Sequence, residues 1–168
     1  MKYKILTLLL FGSVLLSAQA YDGGGDEKIF LGYANVGGKS GVEAQYDIGI
    51  NDLLSYGFCA TVLAGTDKKN DDNNNNAFNG FNLGFFLRFH FLEALKLKDK
   101  TDPYLGIDVS MKSLGLHAGV KYNFSDAIGM YAQIQQGFSN SFWNDNNDGY
   151  INYFGKKFGF NVGMTVSL

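Results

Sequence analysis

Residues 113–138 read SLGLHAGVKYNFSDAIGMYAQIQQGF, and both halves of this segment alternate in polarity. In the first half the even positions from Leu114 to Phe124 are apolar, and Gly, His, Lys and Asn occupy the positions between them. The second half alternates in the same way from Ile128, after a tight turn at residues 125–127. A period of two predicts β-strands with one apolar and one polar face. The stretch therefore predicts an antiparallel hairpin.

The arms of this hairpin are long for a soluble protein. Each arm has about ten residues, whereas strands of soluble sheets usually have about five or six. At about 3.3 Å per residue, ten tilted residues span the hydrocarbon core of a bilayer. A face of His, Lys, Asn and Gln would also be unusual in the core of a soluble sheet protein. We therefore predict that the apolar face meets lipid and that the polar face lines the interior of a barrel.

The same alternation recurs along the rest of the chain and predicts eight strands joined only by hairpins. The predicted strands cover residues 28–36, 41–50, 54–65, 80–91, 103–110, 113–124, 128–138 and 153–168. In the first strand the pattern is ambiguous, and we favour Ile29, Leu31 and Tyr33 on the outer face. The fold class predicted from this pattern is all-β, an eight-stranded antiparallel up-and-down transmembrane β-barrel.

The register of the hairpins provides an internal check on this prediction. Inward residues have to pair with inward residues across each turn. A three-residue turn at 51–53 pairs Asp47 with Gly57, and a three-residue turn at 125–127 pairs Lys121 with Tyr131. A two-residue turn at 111–112 pairs Asp108 with Gly115. The longest polar loops follow the third and seventh strands, which places them at the same end of the barrel. External loops of membrane barrels are longer than periplasmic turns, so we expect both chain ends on the periplasmic side.

The N-terminus has the organisation of a secretory signal peptide. Two lysines precede an apolar segment at residues 5–16, and Ala-Gln-Ala at residues 18–20 has small side chains at the cleavage positions. The apolar segment has about a dozen residues, which is too short for a helix that spans a bilayer. We expect residues 1–20 to be removed, which leaves residues 21–168 as a single barrel domain.

Composition excludes several classes of protein. The net charge is only −2 and no basic tract is present, so we expect no nucleic-acid partner. The chain has 22 Gly and 1 Pro, with 15% aromatic residues, which suits long paired strands. Cys59 is the single cysteine, which excludes an internal disulfide and a zinc site built from cysteines. Its inward position indicates a small space-filling residue.

Two segments carry a resemblance to a known family. These are the hairpin GVKYNFSDAIGMYAQ at residues 119–133 and the last strand, FGFNVGMTVSL, at residues 158–168. With the strand count, they resemble the small eight-stranded outer-membrane β-barrels of the OmpX and OmpA transmembrane-domain type. The resemblance implies the outer membrane of a Gram-negative bacterium. It also implies a monomer whose partners are outer-membrane lipid and the outer-membrane insertion machinery, with a surface partner left open.

The inward positions carry charges of both signs. An eight-stranded barrel is just wide enough for its own side chains to fill, and charges in such a space persist only when they are paired and hydrogen-bonded. We predict a barrel-interior polar network that closes the lumen and serves a structural purpose. Its predicted members are Glu43, Asp47, Arg88, His90, Asp108, His117, Lys121 and Lys157. A narrow ion path or a proton relay is the alternative use of these residues.

No motif in the chain predicts catalysis. The predicted register makes His117 a diagonal neighbour of Asp108, but His117 points inward, and no G-x-S-x-G motif is present. Residues 144–151 resemble part of a calcium loop, although Asn144 stands at the first position and Gly155 at the twelfth. We therefore predict no enzymatic activity, no cofactor and no metal site, and a polar surface loop at residues 139–150.

The sequence leaves two main functions of different kinds open, with a narrow channel and a lipid-modifying enzyme as further alternatives. The first is an outer-membrane barrel with a structural or surface-interaction role and no open pore. The alternative is a soluble, secreted or periplasmic, lipocalin-like carrier of an apolar ligand, which also has eight strands. A carrier requires the aromatic face of each strand to point inward, so the facing of the strands distinguishes the two.

Overall fold

The computed structural model describes residues 19–66, 77–92, 95, 100–140 and 152–168. In these ranges eight strands form a closed antiparallel barrel, in which each strand pairs with its sequence neighbours and the first strand pairs with the last. The strands are β1 (Glu27–Val36), β2 (Lys39–Asn51), β3 (Leu54–Leu63), β4 (Phe81–His90), β5 (Thr101–Ser110), β6 (Ser113–Asn123), β7 (Ile128–Asn140) and β8 (Phe158–Ser167). The predicted fold class of an eight-stranded antiparallel up-and-down barrel is confirmed.

Helical structure is minor in the described part of the chain. A single-turn 3₁₀ helix, Ala77–Gly80, leads into β4. Among the described residues, no helix has the length and apolar character needed to cross a membrane.

The predicted registers are confirmed at three turns. Asp47 pairs with Gly57 and Asp108 with Gly115, and in the hairpin of β6 and β7 Lys121 pairs with Tyr131. Because side chains alternate between faces, these registers place the inward residues of one strand beside inward residues of the next, except at the register shifts next to Gly49 and Leu114. The barrel interior is therefore continuous across the hairpins.

The turn between β2 and β3 differs by one residue from its prediction. A bulge between Gly49 and Asn51 makes Asn51, and not Ile50, the partner of Leu54. The Asn51 side-chain oxygen accepts hydrogen bonds from the backbone N–H groups of Leu53 and Leu54, at 2.9 and 3.0 Å. An asparagine that bonds the backbone two and three residues ahead stabilises a tight turn, and the bulge absorbs the extra residue.

The start of β8 also differs from its prediction, because β8 begins at Phe158 and not at residue 153. The Asn152 side-chain oxygen accepts hydrogen bonds from the backbone N–H groups of Phe154 and Gly155, both at 2.9 Å, which holds a turn there. Tyr153 and Phe154 instead form a buried apolar cluster, together with Val36 and Leu63. The two aromatic residues thus cover one mouth of the barrel and do not extend the strand.

The two ends of the barrel differ in what they carry. The terminal end holds the segment before β1, the end of β8 and the turns at residues 51–53 and 124–127. The loop end holds the turns at residues 37–38 and 111–112, together with the two long connections after β3 and β7.

The outer surface of the barrel is a belt of apolar side chains. Ile29, Leu31 and Tyr33 are 41%, 62% and 42% exposed, which confirms the facing favoured for the first strand. Across β3 and β4, Phe58 and Phe85 pack with their ring centroids 4.8 Å apart. Other exposed side chains of this belt, on β4 to β8, are Leu83, Leu87, Phe89, Leu105, Ile107, Val109, Leu116, Val120, Ile134, Phe160 and Val162. The apolar face of each strand therefore points away from the lumen.

Candidate functional site: the polar interior

The interior of the barrel is filled by polar and aromatic side chains that fall into three levels. The terminal cluster consists of Tyr21, Ser55, His90, Asp102 and Lys121. The central cluster consists of Gln45, Asp47, Arg88, His117 and Gln133. The loop-end cavity has Glu43, Cys59, Thr61, Asn82 and Asp108 among its lining residues. Most of these side chains are more than nine-tenths buried, although the loop-end cavity is partly open.

Arg88 is the hub of the central cluster. Its side chain is fully buried, and Nη1 donates a hydrogen bond to Asp47 Oδ2 at 2.9 Å, which forms an ion pair. Nη2 donates to Gln45 Oε1 and, at 3.1 Å, to Gln133 Oε1. Nε donates to His117 Nε2 at 2.9 Å. The guanidinium thus links four strands, because its partners lie on β2, β6 and β7 while Arg88 itself lies on β4.

Aromatic rings enclose the same guanidinium. Its central carbon lies 4.0 Å from the ring centroid of Phe86, 4.6 Å from that of Tyr104 and 4.9 Å from that of Phe30. Ring faces carry partial negative charge and attract a cation, most strongly where water is excluded. The rings therefore replace part of the hydration that Arg88 loses on burial, and they fill the centre of the lumen.

The hydrogen bonds of His117 fix its protonation. Nε2 faces the Nε–H of Arg88, which can only donate, so Nε2 accepts and carries no proton. The proton of the neutral ring is therefore on Nδ1, which donates to Asp108 Oδ1 at 2.8 Å. The predicted neighbourhood of His117 and Asp108 is confirmed, and the imidazole acts as a neutral bridge between a cation and a carboxylate.

Two glycines make room for the rings of this level. A Cβ on Gly119 would lie 2.4 Å from Tyr104 Oη, and a Cβ on Gly106 would lie 2.3 Å from His117 Cε1. Real carbon atoms do not approach so closely, so larger residues at these inward positions would displace the aromatic side chains. The glycines are thus the small partners of large rings across a narrow lumen.

The terminal cluster is built around His90. Nδ1 lies 2.7 Å from Asp102 Oδ2, and Nε2 lies 2.8 Å from Ser55 Oγ. Lys121 forms an ion pair with the same carboxylate oxygen of Asp102 at 3.1 Å. All four side chains have 0% or 1% of their surface exposed. The prediction that His90 and Lys121 belong to an interior polar network agrees with this arrangement.

Tyr21 closes the terminal end above this cluster. Its ring stacks on His90 with the centroids 3.6 Å apart and the planes 7° from parallel. Its hydroxyl lies 2.7 and 2.6 Å from the backbone carbonyl oxygens of Asn51 and Leu54. The segment before β1 therefore inserts into the lumen, although it precedes the first predicted strand.

The contacts of Ser55, His90 and Asp102 follow the order of a hydrolytic triad. A nucleophilic serine has to reach a substrate, but Ser55 is 0% exposed and Tyr21 covers His90. A geometric resemblance without access for a substrate supports a structural hydrogen-bonded chain. Sequence reasoning missed Ser55, whose inward parity was available, and Asp102, which was assigned to a connection.

Glu43 lies near the loop end, among neutral hydrogen-bond donors. Its carboxylate accepts hydrogen bonds from Thr61 at 2.8 Å, from Asn161 at 2.6 Å and from Gln45. Among the described residues, no lysine or arginine lies within ion-pair distance of it. The prediction that Glu43 faces the interior holds, whereas a cationic partner for it is not found in the described chain.

The prediction that Lys157 belongs to the interior network is wrong. It precedes β8, and its side chain is exposed. It lines the mouth of the loop-end cavity together with Phe154. The turn held by Asn152 is the reason, because it delays the start of β8 and leaves Lys157 at the rim.

Lys112 lies in the turn between β5 and β6, also at the loop end. Its side chain is 4% exposed, and its ammonium lies 5.5 Å from the ring centroid of Phe154. Desolvation by this burial lowers the pKa of Lys112 to about 8.

The described residues contain no group of three or more His, Cys, Asp or Glu side chains arranged to hold a metal ion. The predicted surface loop, including the calcium-like segment at 144–151, lies mostly outside the described residues. The predicted signal peptide also lies almost wholly outside them and stays a prediction.

Comparisons with known proteins agree with the fold and assign no activity. The model of a family of unknown function (DUF6646) matches residues 11–168. None of the curated proteins matches the chain. Among solved structures, the crystal structure of the N-terminal β-barrel domain of Pseudomonas aeruginosa OprF is similar, with a TM-score of 0.59 and 10% identity. The match covers 88% of this chain and 100% of that one, and at this identity it concerns the fold alone.

Proposed function

We propose that this chain, which belongs to the family of unknown function DUF6646, is an integral outer-membrane β-barrel whose lumen is closed by its own side chains. Its role in this proposal is structural or surface-interacting, as in small barrels of the OmpX and OmpA type. The network of the interior stabilises the barrel and carries out no chemistry. The loop end would face outward and the terminal end would face the periplasm.

The observation that carries the proposal is the inverted distribution of side chains. Leu31 and Phe85 are 62% and 60% exposed on the outer face, whereas Arg88 and Lys121 are 0% exposed inside. Soluble proteins seldom expose a continuous apolar belt of this extent, and they seldom bury so many charges. A barrel surrounded by lipid gains from both features, because its outer side chains need an apolar solvent.

The same facing counts against a lipocalin-like carrier. A carrier needs an apolar cavity, whereas here the centre of the lumen holds Arg88, Asp47 and His117 in direct contact. The Phe and Leu side chains that would have to line such a cavity point outward from β4. The described interior thus offers no apolar chamber for a ligand.

Membrane insertion can be tested by fractionation and gel migration. We expect the chain, expressed with its signal peptide in a Gram-negative host, to sediment with outer membranes and to resist extraction by carbonate. The folded barrel in detergent should migrate differently on a gel before and after boiling, because a closed barrel binds less detergent than the unfolded chain. Recovery in the soluble periplasmic fraction, with migration unaffected by heat, would contradict the proposal.

The closed lumen is tested by conductance. Arg88, its three surrounding rings and the Tyr21 stack on His90 fill the lumen at two levels. We expect no steady current steps of porin size when the purified monomer is reconstituted in planar bilayers, because eight strands enclose room only for side chains. A porin of sixteen or so strands in the same bilayers is the positive control. Stable, large steps from the monomer would favour a channel.

A further inference from the structure

We infer that a groove on the outer face of the barrel binds one acyl chain of a membrane lipid. The groove crosses β3, β4 and β5 toward the loop end, and we call it the outer groove. Its volume is about 430 Å³, within the range of about 300–1,000 Å³ that is usual for small-molecule sites. The inference rests on the proposed function, since the lipid comes from the bilayer around the barrel. The described residues that line the groove are Phe58, Cys59, Leu83, Gly84, Phe85, Val109, Ser110 and Met111.

The floor of the outer groove is a row of backbone. Cys59 pairs with Gly84 across β3 and β4, and Gly84 pairs with Ser110 across β4 and β5. All three occupy inward positions, because side chains alternate along a strand and the residue before each of them is exposed on the outer face. The outer side of this row therefore carries no side chain, which leaves a depression in the apolar belt.

Two rows of outward side chains form the walls of the outer groove. Phe58, Phe85 and Val109 pair side by side across the same three strands, and the ring centroids of Phe58 and Phe85 lie 4.8 Å apart. The opposite wall consists of Leu83 and Met111, and the N–H of Met111 donates a hydrogen bond to the Leu83 carbonyl oxygen at 2.9 Å. Methionine is flexible and fills irregular gaps, so this second wall can adapt to the shape of an occupant.

The chemistry of the walls selects a hydrocarbon ligand. Phe85 is 60% exposed, and the other four wall side chains are between 42% and 45% exposed. None of the five side chains carries a charge, and none is a strong hydrogen-bonding group. Lipid tails are as apolar as these walls, so the gain on binding comes from close van der Waals packing against a concave surface.

An acyl chain suits the outer groove better than a second protein does. The groove is continuous with the apolar belt, since Leu87 and Ile107, further along β4 and β5, are also exposed. A stable protein interface uses about 20–30 residues on each side, whereas eight described residues line this groove. In a two-fold dimer the same patch faces itself, and a concave patch that faces its own copy encloses an empty space.

The test is mass spectrometry of the intact refolded chain after reconstitution in nanodiscs of dimyristoyl phosphatidylcholine. The nanodisc is broken up in the spectrometer under conditions that strip loosely attached lipids from the barrel. We expect a major species that retains one lipid. Dimyristoyl phosphatidylglycerol should be retained to the same extent, because the groove contacts the chain and not the head group.

Two tryptophan variants locate the retained lipid. Val109→Trp places a large ring in the outer groove and should reduce the species with one lipid by about tenfold. Ile107→Trp makes the same kind of change two residues earlier on β5, on the same outer face but outside the groove, and should leave that species unchanged. Heat-modifiable gel migration shows whether each variant is folded. If Val109→Trp does not fold, Met111→Trp fills the groove from the opposite wall and decides.

The negative outcomes separate the outer groove from the proposed function. If the parent chain enters nanodiscs as a heat-modifiable barrel but retains no lipid, or if Val109→Trp and Ile107→Trp retain equal amounts, the outer groove is not a site and the proposed function stands. Retention that depends on the head group, or a mass of two chains in place of a chain with one lipid, would also overturn the acyl-chain site. A chain that does not enter nanodiscs would contradict the proposed function and this inference with it.

Discussion

We expect Arg88→Ala to lower the free energy of unfolding in detergent by about 3–5 kcal/mol, the usual cost of breaking a buried ion pair. The substitution leaves Asp47 buried without its 2.9 Å partner and removes the donor to His117 Nε2. It also removes the cation that three aromatic rings enclose. Denaturant unfolding of refolded protein, followed by gel migration and by circular dichroism, measures the change.

Two control variants distinguish the effect of breaking the Arg88–Asp47 ion pair from the effect of removing one positive charge. Lys156→Ala also removes one positive charge, but from an exposed side chain, and should change the stability by less than about 0.5 kcal/mol. The double variant Arg88→Met with Asp47→Leu should recover much of the stability, because apolar residues of similar size can replace a buried ion pair. If Arg88→Ala lowered the free energy of unfolding no more than Lys156→Ala does, the side chain of Arg88 would be in contact with water.

We expect Ile134→Arg to reduce insertion into the membrane strongly. Ile134 is the central residue of β7, and its side chain is 53% exposed on the outer face. An arginine that faces lipid near the middle of the bilayer costs a membrane barrel about 2–4 kcal/mol. The amount of heat-modifiable protein in isolated outer membranes, relative to the parent chain, measures the effect.

The next residue provides a matched control. Gln135 lies on the inner face and lines the loop-end cavity with Glu43 and Asp108, so Gln135→Arg places the same side chain beside two acids. We expect this variant to insert nearly as well as the parent chain. If Ile134→Arg and Gln135→Arg were recovered from outer membranes in equal amounts, that result would contradict the assigned facing of β7.

Much of the fold follows from the sequence, because the physical signal is strong. Ten-residue strands with a strict period of two leave little choice of register, since a slip of one residue would turn every apolar side chain into the lumen. The predicted pairing of Lys121 with Tyr131 is therefore confirmed. The predictions fail by a few residues where side chains bond the backbone locally, as Asn51 and Asn152 do.

The interior is only partly predictable from the pattern. Alternation identifies the strand residues that face inward, and it correctly includes Arg88, His90 and His117. It gives no information about residues outside the strands, so the stacking of Tyr21 on His90 could not be expected. It also cannot choose among cross-lumen partners, because these depend on the tilt of the strands and on the depth of each residue. The pairing of Arg88 with Asp47, and not with Glu43, is one such choice.

In the proposed membrane barrel the apolar face meets lipid and the polar face fills the lumen. The most direct test is a measurement of nuclear Overhauser effects between acyl chains and protein methyl groups, with the protein in micelles or nanodiscs. This facing predicts contacts from acyl chains to Ile134, Val120 and Val162, which are exposed, and none to Thr61 and Thr165, which are buried inside. Acyl contacts to the inner methyl groups, with none to the outer ones, would contradict it.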